Sequence, residues 1–139
     1  MTEPIVLKLG QVCTSGSDCR RIPHNFQNKR GPWQVRWKWN TAWKGEVSAR
    51  WLEIRTKVLA SGIRTPLERP QITFTFYKAG VQFDWDGLRG AAKPLLDALT
   101  GRGIGLIVDD SPDYIPEPVY KQMKVGKIAE ERVEIQIST

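Results

Sequence analysis

One short segment constrains the fold more than any other part of the chain. In Gln71–Tyr77, the apolar residues Ile72, Phe74 and Phe76 alternate with two threonines and a tyrosine. Because successive side chains of a strand point to opposite faces, this alternation predicts a β-strand with one buried face. Such a strand needs neighbouring strands along its edges and another layer of structure over its apolar face. The chain is therefore expected to build a sheet and to cover it.

A helix is predicted from Asn40 or Thr41, either of which can cap it, to about Ala60, with Gly62 just beyond its end. Its apolar residues recur at helical spacing and form one stripe: Trp43, Val47, Trp51, Ile54 and Val58. Its other face is basic. This stripe gives the helix one side that can pack on the sheet.

A second stripe of helical spacing follows the central strand. Its members are all apolar: Leu88, Ala91, Ala92, Leu95, Leu96 and Leu99. Because proline has no amide hydrogen, Pro94 suits the first turn of a helix better than its interior. We therefore expect the regular helix to begin near Pro94, after a turn or distorted lead-in over residues 87–92. Gly101 and Gly103 should end it.

Further strands are predicted from alternation or from short apolar runs. Pro4–Gln11 and Trp33–Trp39 have strand patterns, and Val119–Val125 with Arg132–Ile137 is typical of a closing hairpin. Residues 12–32 are rich in glycine, serine, proline and charge, which predicts a basic loop or arm. The 139 residues suffice for one compact domain and are too few for two ordinary ones. The expected fold is a single α+β domain, with a small mixed sheet and two packed helices.

Composition argues against several classes of protein. Cys13, Cys19 and His24 are the only cysteines and histidine, and three ligands cannot complete a structural zinc site. A disulfide between the cysteines is geometrically feasible, but nothing else indicates an oxidising compartment, so we expect reduced, non-catalytic thiols. No apolar run approaches the length of a membrane span, and the first ten residues do not resemble a secretory signal. The expected protein is soluble and not secreted.

Charge is divided along the chain. Residues 20–69 contain twelve basic and three acidic side chains, whereas residues 84–117 contain seven acidic and three basic ones. A basic half can hold a polyanion, and a compact group of carboxylates can hold a divalent cation. Together they indicate an enzyme that acts on phosphodiesters. Basic charge alone would be weak evidence, because many small proteins are basic without binding nucleic acid.

The acidic residues form two short groups. Asp84 and Asp86 are expected at the end of an extended segment, which would point both to one side and turn Phe83 and Trp85 toward the core. The pair Asp109–Asp110 arrives from a separate element. Either group alone is more often part of a turn. Both groups together, with a lysine between them, favour a Mg²⁺ site, because Mg²⁺ is bound through a few carboxylates with water and phosphate.

These residues lie in a longer pattern, FDWDGL, then KPLLDAL, then VDDSPDY. The pattern resembles the signature region of RusA-type Holliday junction resolvases, especially the phage variants, over about residues 71–114. In that family D-x-D, a lysine, a D-[AG]-L helix and a closing D-D-[ST] run form the active site. The residues that match are Asp84, Asp86 and Asp110 as metal ligands, Lys93 as the active-site lysine and Asp97 in support. Two positions depart from the pattern: Gly87 replaces the usual asparagine, and Lys93 lies further along than in the best-known bacterial members.

The resemblance implies a Mg²⁺-dependent endonuclease, with Mn²⁺ as an alternative ion, that resolves Holliday junctions in DNA recombination and repair. It implies a homodimer that makes paired nicks, in the cytoplasm of a bacterial host or a phage-infected cell. The expected DNA-binding residues are Asn28, Lys29, Arg30, Arg36, Lys38 and Arg89. The alternative is a non-catalytic nucleic-acid-binding module whose acidic cluster is structural.

Five of the six tryptophans lie within residues 33–51. Helical spacing favours packing in the core for Trp43 and Trp51. For Trp33, Trp37 and Trp39 both stacking on DNA bases and packing remain open. His24, a single histidine in a polar segment, is expected to be an incidental surface residue.

Overall fold

The structure is a computed structural model that describes residues 3–24 and 33–139. Within these residues two helices and six strands form a small single-domain α+β fold, which confirms the expected fold class. The elements in chain order are β1 Ile5–Leu9, β2 Val12–Ser15, β3 Asp18–Arg20, α1 Trp33–Ala60, β4 Gln71–Ala79, α2 Trp85–Leu99, β5 Val119–Val125, a short 3₁₀ turn at Ile128–Glu130, and β6 Arg132–Ser138.

The main sheet is mixed, with strand order β1-β6-β4-β5. β6 is antiparallel to both β1 and β4, and β5 is parallel to β4. Ile72, Phe74 and Phe76 of β4 are fully buried and pair with apolar residues of β6. The predicted strands at both ends of the chain are confirmed. The predicted hairpin is wrong, since β4 lies between β5 and β6. Alternation identifies a strand but does not identify its neighbour.

Helix α1 begins at Trp33, so the strand predicted for residues 33–39 is wrong. The helix start predicted at Asn40 or Thr41 is wrong for the same reason, because both residues lie inside the helix. Trp33 and Trp37 are exposed, whereas Trp39 and Trp43 are buried. The two exposed tryptophans therefore lie on a different face of the helix from the two buried ones. The predicted stripe is confirmed: its first three residues are buried, and its last two pack partly buried against the core. α1 contacts β1, β2 and α2. It ends at Ala60 as expected.

Helix α2 starts at Trp85, about nine residues earlier than predicted, and Pro94 lies inside it. An interior proline removes one backbone hydrogen bond. The helix is nevertheless held along its whole length, because every member of the predicted apolar stripe is buried. Tertiary packing thus outweighs the local cost of the proline.

The region expected to be a loop contains a β2–β3 hairpin over residues 12–20. Its register places Cys13 directly opposite Cys19, and the two form a disulfide. The expectation of reduced thiols is therefore wrong, because sequence spacing does not show that the two cysteines face each other. Residues 25–32 of the predicted arm lie outside the described residues.

Replacing Phe74 with alanine should destabilise the protein strongly. The ring is fully buried on the central strand, and its removal loses apolar burial and leaves a cavity. We expect the free energy of unfolding, measured by urea titration, to fall by about 3–5 kcal/mol. Leu52→Ala is the control, since Leu52 is 62% exposed on α1 and should change stability by less than about 0.5 kcal/mol. Equal effects would contradict the assignment of the core.

Candidate active site

The site begins at the amino end of α2. Asp84 is the residue that caps this helix, and its Oδ1 accepts the backbone N–H of Gly87 at 2.6 Å. Asp86 lies in the first helical turn. The expectation that both aspartates end an extended segment is therefore wrong. The helix starts directly after Asp84, so the directions of the Asp84 and Asp86 side chains are not related by the alternation of a strand. Phe83 packs against the core as expected, whereas Trp85 is 70% exposed.

Charged side chains line one exposed face of α2. Asp86, Arg89, Lys93 and Asp97 are spaced three or four apart, so they lie above one another on the helix. Arg89 Nη1 lies 3.9 Å from Asp86 Oδ1, and Arg89 Nη2 lies 3.7 Å from Glu117 Oε1. Lys93 Nζ lies 2.9 Å from Asp97 Oδ1. Exposed ion pairs of this kind contribute little to stability. In the structure these pairs place each cationic group beside carboxylates.

The second acidic group reaches this face. Lys93 Nζ donates a hydrogen bond to Oδ2 of Asp110, which is partly buried and lies 17 residues further along the chain. Asp109 points differently, because its Oδ1 accepts the backbone N–H of Asp110 at 2.8 Å. The structure therefore brings together Lys93 and Asp110, the lysine of one motif and the closing carboxylate of another.

The turn after α2 explains this return. A Cβ on Gly103 would lie 2.0 Å from the carbonyl oxygen of Ala98, so only glycine fits there without a shift of the backbone. The next segment runs back along the end of the helix, where Ile107 donates its N–H to a helix carbonyl at 3.1 Å. Leu106 and Ile107 are buried and anchor the segment. Asp110 follows three residues later, beside α2.

The Lys93–Asp110 contact changes the titration of both groups. The hydrogen bond from Lys93 is the main cause that holds the pKa of Asp110 below its usual range. Burial alone would lower the pKa of Lys93, but its hydrogen bonds to Asp110 and Asp97 together raise it above the usual value. Both groups are therefore charged at neutral pH.

We expect this pair to stabilise the fold within a defined pH window. Asp110 contributes fully above its unfolded pKa of about 3.9, and this contribution is lost as the pH falls through its lowered folded pKa. Lys93 contributes fully below its unfolded pKa of about 10.4, and this contribution is lost as the pH rises through its raised folded pKa. Urea titrations of wild type and Lys93→Met should differ most between these limits. A difference that does not change with pH would contradict the pair.

An open cleft of about 690 Å³ adjoins the start of α2, and Asp84, Tyr120 and Gln122 are among the residues that line it. Gln122 holds the backbone of Phe83 from both sides, accepting its N–H at 3.0 Å and donating to its carbonyl at 2.7 Å. Gln122 therefore positions the segment that carries Asp84. Sequence reasoning missed this residue. Its signal is the alternation in β5, which places Tyr120 and Gln122 on the same half-buried side.

The carboxylates of this site can be compared with the ligands that a divalent cation needs. Carboxylate oxygens suit a hard ion such as Mg²⁺. Among residues 3–24 and 33–139, however, no three His, Cys, Asp or Glu side chains form a group that could hold a metal ion. One oxygen of Asp84 is engaged in capping, and Lys93 lies against Asp110. The arrangement in the structure thus does not gather the three aspartates around one point, and their assignment as ligands stays a prediction.

The structure describes three of the six expected DNA-binding residues, and these lie on two helices. Arg36 and Lys38 are exposed in the first turns of α1, and Arg89 lies half-exposed on α2. The remaining three, Asn28, Lys29 and Arg30, lie outside the described residues.

His24 is half-buried and packs on Trp39 with ring centroids 4.8 Å apart, so it is not the incidental surface residue that was expected.

Within the part of the chain that the structure describes, no helix is both long enough and apolar enough to cross a membrane.

The chain matches no protein-family model, no curated protein and no solved structure.

Proposed function

We propose that this protein is a metal-dependent DNA endonuclease that resolves four-way junctions by paired nicks in DNA recombination and repair. The observation that supports the proposal is the contact between Lys93 and Asp110. In an active site, groups from distant parts of the sequence come together in space. Two unrelated surface turns would have no reason to meet in this way. This contact joins two of the three motif segments, and the third supplies Asp84 and Asp86 at the start of the same helix.

In this proposal Asp84, Asp86 and Asp110 bind Mg²⁺, with Mn²⁺ as an alternative. A bound ion would supply Lewis-acid chemistry there, which would lower the pKa of a water molecule and neutralise charge on the phosphate. Lys93 provides a positive charge that stabilises the negative charge developing on the phosphate in the transition state. Lys93 can leave Asp110 without losing every partner, because Asp97 also holds its ammonium at 2.9 Å. Asp97 thus acts as a positioning residue for the lysine.

The proposed substrate is branched DNA. Arg36 and Lys38 on α1 and Arg89 on α2 would contact its phosphates, together with residues 28–30. A four-way junction has two-fold symmetry, so two opposed nicks are best made by two copies of the chain related by the same symmetry. We therefore propose a homodimer. Because the proposed substrate is cellular or phage DNA, we propose the cytoplasm of a bacterial or phage-infected cell as its place of action.

A second candidate function is supported by a different observation. Asp84 caps α2, and Asp97 and Asp110 both neutralise Lys93, so these carboxylates already have structural roles. Such a cluster would suit a nucleic-acid-binding module without catalytic activity.

Cleavage of a synthetic four-way junction separates the two functions. The junction and a linear duplex of the same sequence would each be incubated with the protein in Mg²⁺ and in EDTA. We expect symmetric nicks with 5′-phosphate and 3′-hydroxyl ends in the junction only, and binding without cleavage in EDTA. Binding without cleavage in both Mg²⁺ and Mn²⁺ would instead support the non-catalytic module.

A further inference from the structure

Two tryptophans at the start of α1 are exposed to solvent. Trp33 is 70% exposed and Trp37 is 60% exposed. Because they are four residues apart in one helix, they lie one turn apart on the same side. We call this surface the Trp33–Trp37 face. The remaining tryptophans of α1 are buried, so exposure is particular to these two.

The helix residues that carry this face have charges of one sign. Helix α1 has no acidic residue in its first turn, and residues 33–45 contain Arg36, Lys38 and Lys44 but no carboxylate. Arg36 and Lys38 are exposed like the two indole rings. The face therefore combines flat aromatic surfaces with positive charge.

We propose that the Trp33–Trp37 face binds unpaired bases of DNA by stacking. Every base presents a flat apolar face that can stack on an indole ring, and the phosphates that link the bases carry the negative charge that Arg36 and Lys38 complement. Binding of this kind tolerates any sequence. The inference rests on the proposed function for its choice of DNA as the ligand.

Charge favours DNA over a second copy of the chain as the occupant. A two-fold dimer places the same patch of each copy against the other, so Arg36 and Lys38 would meet the same cations of the partner copy. The whole chain also has a net charge of +6. A polyanion with flat apolar bases matches both properties of the face. The face would thereby favour branched DNA, whose crossover can expose unpaired bases, over continuous duplex.

The test measures DNA binding in EDTA, so that it does not depend on cleavage. Fluorescence anisotropy would follow the full-length protein on a labelled single-stranded oligonucleotide, a four-way junction and a linear duplex. The variants are the double change Trp33→Ala with Trp37→Ala, and the double change Trp33→Phe with Trp37→Phe, which keeps an aromatic ring. Leu52→Ala is the matched control, because it removes an exposed apolar side chain from the same helix.

The alanine pair should weaken binding to single-stranded DNA by roughly tenfold for each ring removed. Binding to duplex should change by less than about twofold, because its bases are already stacked on each other. The phenylalanine pair should retain most of the affinity, and Leu52→Ala should bind as wild type. Circular dichroism should be unchanged, since neither indole is part of the core.

Three results would overturn the inference. If the alanine pair binds single strands as tightly as wild type, the stacking surface is wrong, while junction cleavage by wild type would still support the endonuclease. If the alanine pair converts a wild-type dimer to a monomer in sedimentation, the face is a contact between copies of the chain. If wild type binds none of the three DNAs, the proposed function itself fails.

Discussion

Changing Asp84, Asp86 or Asp110 singly to asparagine should nearly abolish Mg²⁺-dependent cleavage of four-way junctions. Asparagine keeps the size and one acceptor oxygen but removes the negative charge that holds a hard cation. The expected loss exceeds the roughly 10- to 100-fold effect that is typical for residues that only support a metal ligand. Junction binding in EDTA should persist or tighten, because each change removes repulsion between a carboxylate and the phosphate.

The structure makes this test sharper at Asp84. Its side chain caps α2 through a hydrogen bond from the backbone of Gly87, and asparagine is an equally good capping residue. Asp84→Asn should therefore keep the start of the helix and lose only the charge. If the thermal melting temperature falls steeply in this variant, the carboxylate has a structural role that the amide cannot replace.

Two neighbouring aspartates are the matched controls. Asp109 accepts a backbone N–H, which an asparagine oxygen can also accept, so Asp109→Asn should be milder than Asp110→Asn. Asp113 is exposed in a turn, and Asp113→Asn should be close to silent. Full activity in any of the three main variants would remove that residue from the site. Loss of DNA binding in all three would support a structural acidic cluster.

Lys93→Met should reduce turnover strongly and at the same time tighten the binding of Mn²⁺. Methionine has a side chain of similar length but carries no charge. If the ammonium acts on the transition state, kcat and kcat/KM should fall together. Because Lys93 holds the carboxylate of Asp110, its removal leaves that carboxylate available to a cation. The two readouts are junction cleavage under single-turnover conditions and Mn²⁺ titration followed by electron paramagnetic resonance without DNA.

Lys8→Met is the control for this variant. Lys8 is exposed on β1, the edge strand opposite β5, and its replacement should change neither readout. A rise in KM alone for Lys93→Met would make Lys93 an ordinary phosphate contact. Weaker Mn²⁺ binding would mean that the lysine helps to build the metal site and does not compete with it.

Periodicity in the sequence predicted those parts of the fold where one pattern has a single interpretation. The alternation in β4 and β6 and the stripe of α1 from Trp43 onward are confirmed. Residues 33–39 show where periodicity is ambiguous. The four large apolar residues there alternate as in a strand, yet Trp33 and Trp37 also fit one helix face, and Trp39 fits the stripe of Trp43. The segment is helical and not extended because it is continuous with the part of α1 that carries the buried residues Trp43, Val47 and Trp51.

Other errors in the prediction arose from contacts between distant residues. The position of β5 beside β4 depends on a parallel pairing that neither strand pattern encodes. The same holds for the disulfide, which depends on the register of the β2–β3 hairpin. The start of α2 was predicted too late because of Pro94. The rule that proline starts a helix is local, whereas the first half of α2 is held by the packing of Leu88 and Ala91 against the rest of the protein.

The sequence pattern names the residues of the candidate site but does not predict how they are arranged. The motif pattern singled out Lys93 and Asp110, and the structure places them in contact. The capping role of Asp84 follows from the early start of α2. The contacts of Gln122 with Phe83 and of Glu117 with Arg89 come from β5 and the segment before it, which no local pattern connects to the acidic motifs.

We propose that Asp84, Asp86 and Asp110 hold one divalent cation, although they come from two separate segments. Anomalous diffraction from crystals of the wild-type protein soaked in Mn²⁺ tests this directly, because the anomalous signal locates the ion independently of activity. We expect a peak within bonding distance of carboxylate oxygens from all three aspartates, with Lys93 withdrawn from Asp110 and held by Asp97. A peak at another position, or no peak with Lys93 still in contact with Asp110, would contradict it.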